Sequence, residues 1–308
     1  MLEGRSMKSS LAIVIVNYNG VDDTLECVDS IKQECILDNE IIIVDNNSNI
    51  FNKNKLIENQ SLYTLILNKK NQGFSCANNI GIKYAMKKGY ENILLINNDT
   101  IITKNSIEIM LEKLNSDSNL GIVGCTILYN DYKDLIWFDG GNINWNKFLG
   151  EHENMKKKYN HESRSCNVSF LSGCCMLIKS KVFEEVGLLP EEYFMYFEDV
   201  DFCAMVLEFG YKLFVCKEAV IYHKVSAASG GEDSPFTIEW CNRNRIVFMK
   251  KYKYKSSSKV KYIYSIIYFI LGRLIRLGQL VLKGEFKRAK ALIKGCLEGI
   301  RYIERIGA

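Results

Sequence analysis

LAIVIVNYNG (residues 11–20) runs six apolar side chains without alternation and then turns abruptly polar. An unbroken apolar run that stops at turn residues reads as a strand buried on both faces. The pattern recurs in EIIIVDNNSN (residues 40–49) and NILLINNDT (residues 92–100), each an apolar strand running into Asn and Asp. LYTLILN (residues 62–68) is a further strand. Between the strands, VDDTLECVDSIKQ sets Leu25, Val28 and Ile31 on one helical face, and NNIGIKYAMKKGY is a helix ending near Gly89. Strand and helix alternate, so the chain is expected to be an α/β protein with a mostly parallel sheet covered on both faces. Ligands of such sheets bind beyond the carboxyl ends of the strands. Asn17, Asp45 and Asp99 all fall at such ends.

After Gly121 the segments shorten: GIVGCTILYN, IWFDGGNINW and VSFLSGCCMLIKS read as strands and loops, and KVFEEVGLL as a helix closed by Pro190. YFMYFEDVDFC (residues 193–203) then sets Glu198, Asp199 and Asp201 among rings, although a carboxylate is costly to bury without a partner. Helix dipoles favour acids at an N-terminus, but that does not account for the aromatic run before them. One carboxylate in such surroundings has its proton affinity raised, which suits a general base. VDFCAMVLEFGYK reads as helix, LFVCKEAVIYHK as a strand ending at His223, and SAASGGEDSP as a flexible loop able to close over a ligand. A lone histidine is ordinarily structural; His223 precedes that loop and is equally a candidate ligand. CNRNRIVF offers Arg243 and Arg245, whose forks match phosphate oxygens.

At 308 residues and 47% hydrophobic, the chain can bury a large core. Its eleven cysteines include no CxxC pair, which points to reduced, buried thiols rather than a disulfide framework or a zinc site. Residues 1–6 read as extraneous to a natural start at Met7, and no signal peptide is visible. Residues 250–308 hold 15 Lys/Arg against 3 acids, a charge of +12, and leave the rest of the chain at −8. That tail is apolar and basic at once. Its longest uncharged run, residues 262–272, has 11 residues, short of the roughly 20 needed to cross a bilayer. A helix lying in the membrane surface with its basic residues at anionic headgroups is expected, the alternative being a helix packed on the body or on a second subunit of a homodimer.

IVIVNYNG, IIIVDNNS, NQGFSCANNIGI, LLINNDT, SGCCMLIK, YFMYFEDVDFC, VIYHK and NRN, in this order, resemble an inverting family-two glycosyltransferase of the GT-A fold, in its bacterial rhamnosyltransferase-like branch. The resemblance runs from Ser9 to Tyr252. It implies a nucleotide-diphospho-sugar transferase, a Rossmann-like mixed sheet flanked by helices, over residues 7–249; residues 250–308 read, from their own composition, as a helical membrane-surface or oligomerisation region. Asn17 and Tyr18 would line the nucleotide pocket with Asn47, Asn98 and Arg243, and Asp45 would pair with a pyrimidine edge. Asn71, Gly73, Phe74 and Asn78 would surround the ribose and sugar. Asp99 matches the last position of the family's Asp-X-Asp metal motif, whose first position is here Asn97; with one carboxylate missing, affinity for Mg²⁺ or Mn²⁺ would be modest. His223 matches a further metal ligand and Asp199 the catalytic base, with Glu198, Asp201 and Tyr196 supporting it or binding the acceptor. The implied partners are a dTDP- or UDP-sugar donor, a glycan or lipid-linked acceptor of cell-surface polysaccharide synthesis, and the cytoplasmic face of the membrane; nucleic acid is not among them.

Other classes fit less well. A nicotinamide-dependent dehydrogenase needs a glycine spacing that NYNGVDD lacks. A sugar nucleotidyltransferase shares the donor half of the fold but would need a glycine- and lysine-rich triphosphate loop, which is missing. A non-catalytic carbohydrate-binding protein would keep the rings and have no use for Asp99 and Asp199 together. A polyprenyl-phosphate sugar synthase would usually carry true transmembrane helices.

Overall fold

The structure, a computed structural model, describes residues 11–225 and 233–307. Residues 1–6, Met7 and most of the glycine- and serine-rich loop (226–232) lie outside the described residues.

The first half of the chain alternates as its periodicity requires: β1 (Leu11–Asn17), α1 (Val21–Glu34), β2 (Asn39–Asp45), α2 (Ile50–Glu58), β3 (Thr64–Leu67), α3 (Gly73–Lys88) and β4 (Asn92–Asn97). Ile13, Val14, Ile15, Ile42, Ile43, Leu94 and Leu95 are buried to within 1% of completely, so both strand faces are dry. Burying each such side chain contributes roughly 1.5–3 kcal/mol. Helix α3 presses close to this layer at Gly81, where a β-carbon would stand 2.4 Å from Val14. It starts five residues before the apolar spacing suggests, at Gly73, and stops at Gly89, whose φ of 82° suits glycine.

The second half comprises β5 (Thr100–Ile102), α4 (Ser106–Ser116), β6 (Leu120–Tyr129), β7 (Ile136–Phe138), β8 (Gly141–Asn144), β9 (Leu149–His152), β10 (Cys166–Val168), β11 (Cys175–Lys179), α5 (Ser180–Val186), α6 (Glu198–Glu208), β12 (Lys212–His223) and α7 (Pro235–Lys251). The main sheet is ordered β10-β12-β6-β11-β4-β1-β2-β3, with β5 on β12 and β7 on β6. β11 is antiparallel to both its neighbours, β4 and β6, so the sheet is mixed, as the resemblance implies, and not mostly parallel as the strand–helix alternation alone suggests. That inversion has a functional consequence. The carboxyl ends of β1, β2 and β4 lie in register, Asn17 beside Asp45 and Val16 beside Asn97, and the start of β11 meets the same edge. All eleven cysteines are free thiols, as the composition indicates.

Two helices follow, α8 (Lys259–Leu282) and α9 (Phe286–Gly307). Helix α9 lies against α7 through Gly295 and Gly299: a β-carbon on Gly295 would sit 2.2 Å from the Glu239 carbonyl oxygen. Helix α8 exposes Lys259 and Lys261 at its start, whereas its two arginines turn inward. Arg273 donates to Asn242 Oδ1 (2.8 Å) and Arg276 pairs with Asp233 (3.2 Å), both toward the body. The outer face instead carries Ile263, Tyr264, Ile267, Tyr268, Ile270, Leu271, Leu274 and Ile275, all exposed. With its arginines absorbed in this way, the apolar stretch extends past the 11-residue run: over 24 residues α8 is, by length and composition, long and apolar enough to cross a membrane.

Candidate active site

Strand pairing creates the first part of the site. Asp99 follows β4 in a tight turn, and β5 pairs with β12 so that Thr100 stands opposite His223. This brings His223 Nε2 to 3.0 Å from Asp99 Oδ1, across 124 residues of chain. Both side chains are almost fully buried. Among the described residues no three His, Cys, Asp or Glu side chains converge on one point. A carboxylate oxygen and an imidazole nitrogen 3.0 Å apart nevertheless match two neighbouring ligands of an octahedral ion with bonds of roughly 2.1 Å. The pair fits one corner of a Mg²⁺ or Mn²⁺ site that needs substrate oxygens to complete it. His223 Nδ1 is buried without a hydrogen-bond partner, so the usual support behind a ligating imidazole is missing. Trp137 packs edge-on against the ring at 4.5 Å and fixes its plane instead.

At the neighbouring strand ends Asn17 donates to Asp45 Oδ1 (2.8 Å) and Ser48 Oγ (3.0 Å), and accepts from Thr24 Oγ1 (2.8 Å). Asn98 donates to the Gly20 carbonyl (3.2 Å) and to Thr24 Oγ1 (3.1 Å). Tyr18 is exposed, and Asn47, at a φ of 65°, accepts from Lys53 Nζ (2.8 Å). Asp45 requires a correction. It is wholly buried, one oxygen taken by Asn17 and the other by the Ser48 amide (3.1 Å), so no carboxylate surface is left for a base edge. Its role in this geometry is to shape the loop that carries Ser48. Asn71 accepts from the Gly73 amide (2.9 Å) and from Asn46 (2.8 Å), and Asn78 caps inward onto the Phe74 carbonyl (3.0 Å). Gly73 has a φ of 86°, and a β-carbon there would collide with the Phe194 carbonyl oxygen at 2.3 Å. The Phe74 amide donates to that same oxygen (2.7 Å), so this loop is bonded to the aromatic stretch before α6.

That stretch delivers the acids. Tyr196 and Phe197 both hold left-handed φ values, 70° and 73°, immediately before α6. Two consecutive non-glycine residues in this region are strained and need holding. Buried Asn244 does so, donating to the Met195 and Tyr196 carbonyls at 2.8 Å each, while the Tyr196 hydroxyl bonds Thr237 (3.0 Å). The sharp turn sets Asp199 into the first turn of α6. Its Oδ2 accepts from the Gly173 amide (3.0 Å) and its Oδ1 from Val200 (2.8 Å). Burial raises its pKa; the Gly173 and Val200 amides and the nearby His152 pull the other way. Glu198 beside it is raised well above the usual carboxylate range, first by burial and then by the charge of Asp199, and its Oε2 has no partner.

The acids and the Asp99 corner share one edge. Gly173, which anchors Asp199, is followed by Cys174, whose carbonyl accepts from the Asn97 amide (2.9 Å), two residues before Asp99. A β-carbon at Gly173 would press on both Asp199 and the Phe74 ring, at 3.3 and 3.4 Å. On the other side, Trp137 touches His223 and His152 alike. Asp199 opens into a cavity of about 330 Å³ shared with Glu198, His152, Tyr196, Arg245 and Arg273.

Two expected residues point elsewhere. Asp201 is turned from the cavity, bonded to Lys251 Nζ (2.7 Å) and the Tyr252 hydroxyl (2.6 Å), so it ties α6 to the end of α7 and does not reach an acceptor. Arg243 donates to the Glu192 carbonyl (2.5 Å) and lies over the Tyr302 ring of α9 at 4.2 Å, outside the cavity that receives Asp199. The arginine of NRNR that reaches the cavity is Arg245. Sequence reasoning also missed Asn244, Gly173, His152 and Arg273. His152 carried a signal as one of three histidines, and Gly173 and Asn244 fall within the motifs SGCCMLIK and NRN without being singled out.

A mixed sheet flanked by helices in this order is the fold of the GT-A glycosyltransferases. The sequence pattern of Glycosyl transferase family 2 matches residues 12–187, and the chain belongs to that family. It is 25% identical over 266 residues, 84% of its length and 81% of the other's, to the low-salt glycan biosynthesis hexosyltransferase Agl10 of Haloferax volcanii. With the dTDP-rhamnosyl transferase RfbF of Shigella flexneri it shares 27% over 225 residues, 72% of each chain. Its fold superposes on the mannosyltransferase PcManGT of Pyrobaculum calidifontis, solved with GDP-Man and Mn²⁺, with a TM-score of 0.60 at 12% identity, covering 96% of this chain and 88% of that one. The protein is therefore a glycosyltransferase, and the expectation of a GT-A fold is met.

Proposed function

We propose that this enzyme moves a sugar from a nucleoside diphosphate to a hydroxyl of a glycan or lipid-linked acceptor, by a single displacement with inversion, at the cytoplasmic membrane surface. The observation that carries the reading is the Asp199–Gly173 hydrogen bond, because it fixes a half-buried carboxylate to the turn before β11, whose next residue, Cys174, accepts from the Asn97 amide two residues before Asp99. Asp199, with its proton affinity raised, takes the acceptor proton as that oxygen attacks the anomeric carbon; the nucleoside diphosphate leaves from the opposite face. Asp99 and His223 would hold Mg²⁺ or Mn²⁺, which when bound offsets the charge of the departing diphosphate. Solved relatives containing Mn²⁺ support that cofactor. dTDP-rhamnose is the favoured donor, on the likeness to a dTDP-rhamnosyl transferase; a UDP-hexose is the alternative, on the likeness to a hexosyltransferase.

The test is a panel of sugar nucleotides incubated with the protein, acceptor and Mn²⁺. Release of a nucleoside diphosphate, fastest from the true donor, is expected. Release of pyrophosphate would identify a nucleotidyltransferase instead, and tight binding with no release a carbohydrate-binding protein.

A further inference from the structure

The cavity that receives Asp199 also holds two arginines that the transfer reaction described above does not use. Arg245 donates through Nε and Nη2 to the Lys147 carbonyl at 3.0 and 2.7 Å, which leaves Nη1 without a bond to any described residue. Arg273, from α8, spends Nη1 on Asn242, and its Nε is buried without a hydrogen-bond partner among the described residues. Both guanidinium groups lie over one ring, Phe269, at 5.0 and 5.4 Å. Neither forms an ion pair with a carboxylate among the described residues. Glu151, the acid nearest Arg245 by its influence, is paired with Lys147. Two like charges gathered on one ring, half withdrawn from water and unneutralised, repel each other unless an anion comes between them. The strain is visible at Arg245, where burial and then Arg273 bring the pKa down to about 10.

The position of the pair says which anion. It shares the cavity with Asp199 and not with Asp99, so it lies on the acceptor's side of the reaction. Arg273 is the inward projection of a helix whose outer face is apolar and exposed, so the anion it meets is attached to something that dissolves in lipid. We propose that Arg245 and Arg273 form an anion subsite for the phosphate or diphosphate ester of a lipid-borne acceptor, with α8 resting in the membrane that holds its hydrocarbon chain. The inference rests on the transferase reading for the name acceptor, but the subsite binds its ester whether or not sugar is transferred. Guanidinium forks suit this task because they donate paired hydrogen bonds to phosphate oxygens.

The experiment is binding of farnesyl diphosphate, inorganic pyrophosphate and farnesol to the full-length protein and to Arg245→Gln, Arg273→Gln and the corresponding Lys variants. Sugar-nucleotide binding and thermal stability are measured in parallel. Wild type should prefer farnesyl diphosphate to both other probes. Each Gln variant should lose about 10- to 100-fold of that affinity, the range of a lost charge-assisted contact, with the Lys variants between. Sugar-nucleotide affinity and melting temperature should stay close to wild type. Unchanged binding of farnesyl diphosphate by folded Gln variants would overturn the proposal. So would an equal loss of sugar-nucleotide affinity, which would assign the arginines to the donor diphosphate, or pyrophosphate binding as tight as the ester, which would remove the lipid. If no sugar nucleotide is ever consumed while the ester still binds through these arginines, the transferase reading fails and the subsite stands.

Discussion

Asn244→Ala tests how the catalytic acid is held. The side chain is completely buried and donates to two successive carbonyls, Met195 and Tyr196, at 2.8 Å, while its own oxygen accepts from Arg243 at 2.7 Å. Removing the amide takes away two hydrogen bonds to half-buried carbonyls, at about 1–1.5 kcal/mol each on the scale for single hydrogen bonds. The left-handed conformations of Tyr196 and Phe197, each worth about 1–2 kcal/mol of strain, then lose their restraint. The turn is expected to relax toward ordinary φ values rather than bear the full sum, so a net stability loss of about 2–4 kcal/mol follows. Relaxation rotates the first turn of α6 and moves Asp199; a displacement near 1 Å costs on the order of 100-fold in rate. Thermal unfolding and steady-state kinetics with a saturating donor measure the two effects. The variant should melt several degrees lower and lose kcat by about two orders of magnitude with donor binding retained. Asn244→Asp, which keeps the size and removes both donors, should behave no better than alanine. A variant with wild-type melting temperature and kcat within twofold would show that the turn holds itself and that this account of the positioning is wrong.

Three further outcomes follow from particular atoms. Because Asp199 must be ionised to accept a proton and burial raises its pKa, kcat/KM should fall on acidification at a pH above the ordinary carboxylate value of about 4; a limb at or below that value contradicts the assignment. Glu198, also raised, binds its proton more tightly in the folded than in the unfolded chain, so its contribution to stability is complete below the unfolded pKa and is lost as pH rises through the folded one. Glu198→Gln should therefore flatten the decline of melting temperature toward alkaline pH, and an unchanged slope would clear Glu198 of that role. Gly295→Val should cost about 1–3 kcal/mol by pushing α9 off the Glu239 carbonyl, read as a lower melting temperature, whereas the same change at Gly278, which faces open space, should leave it almost unmoved.

The donor half of the molecule was legible because three of its strands, β1, β2 and β4, carry unbroken apolar runs that end in Asn or Asp, a pattern set by burial on two faces. The periodicity alone did not show that β11 runs antiparallel, since an apolar run carries no information about strand direction; the mixed sheet followed from the resemblance. Asp99 and His223 were readable separately; their 3.0 Å approach depends on β5 lying against β12, which three residues of strand do not announce. Asp45 and Arg243 looked like ligands because charged residues near strand ends and helix surfaces usually are free, and here neighbouring amides, carbonyls and rings already satisfy both. Asn244 and Gly173 act through backbone groups, a role that residue type does not reveal. The charge of the tail was legible, but not that α8 turns its two arginines inward, toward Asn242, Asp233 and the Phe269 ring. Docking of α9 on α7 also means that truncation near Lys250 would uncover the helix that carries Asn244, so the membrane role of α8 is better probed in the full chain.

The central claim is that Asp199 removes the acceptor proton across from the Asp99–His223 corner. Asp199→Asn, with donor affinity measured by direct binding and turnover by release of the nucleoside diphosphate in the presence of acceptor, addresses it most directly. The account predicts donor affinity within a fewfold of wild type and turnover lower by roughly three orders of magnitude. Sugar transfer at the wild-type rate would contradict it.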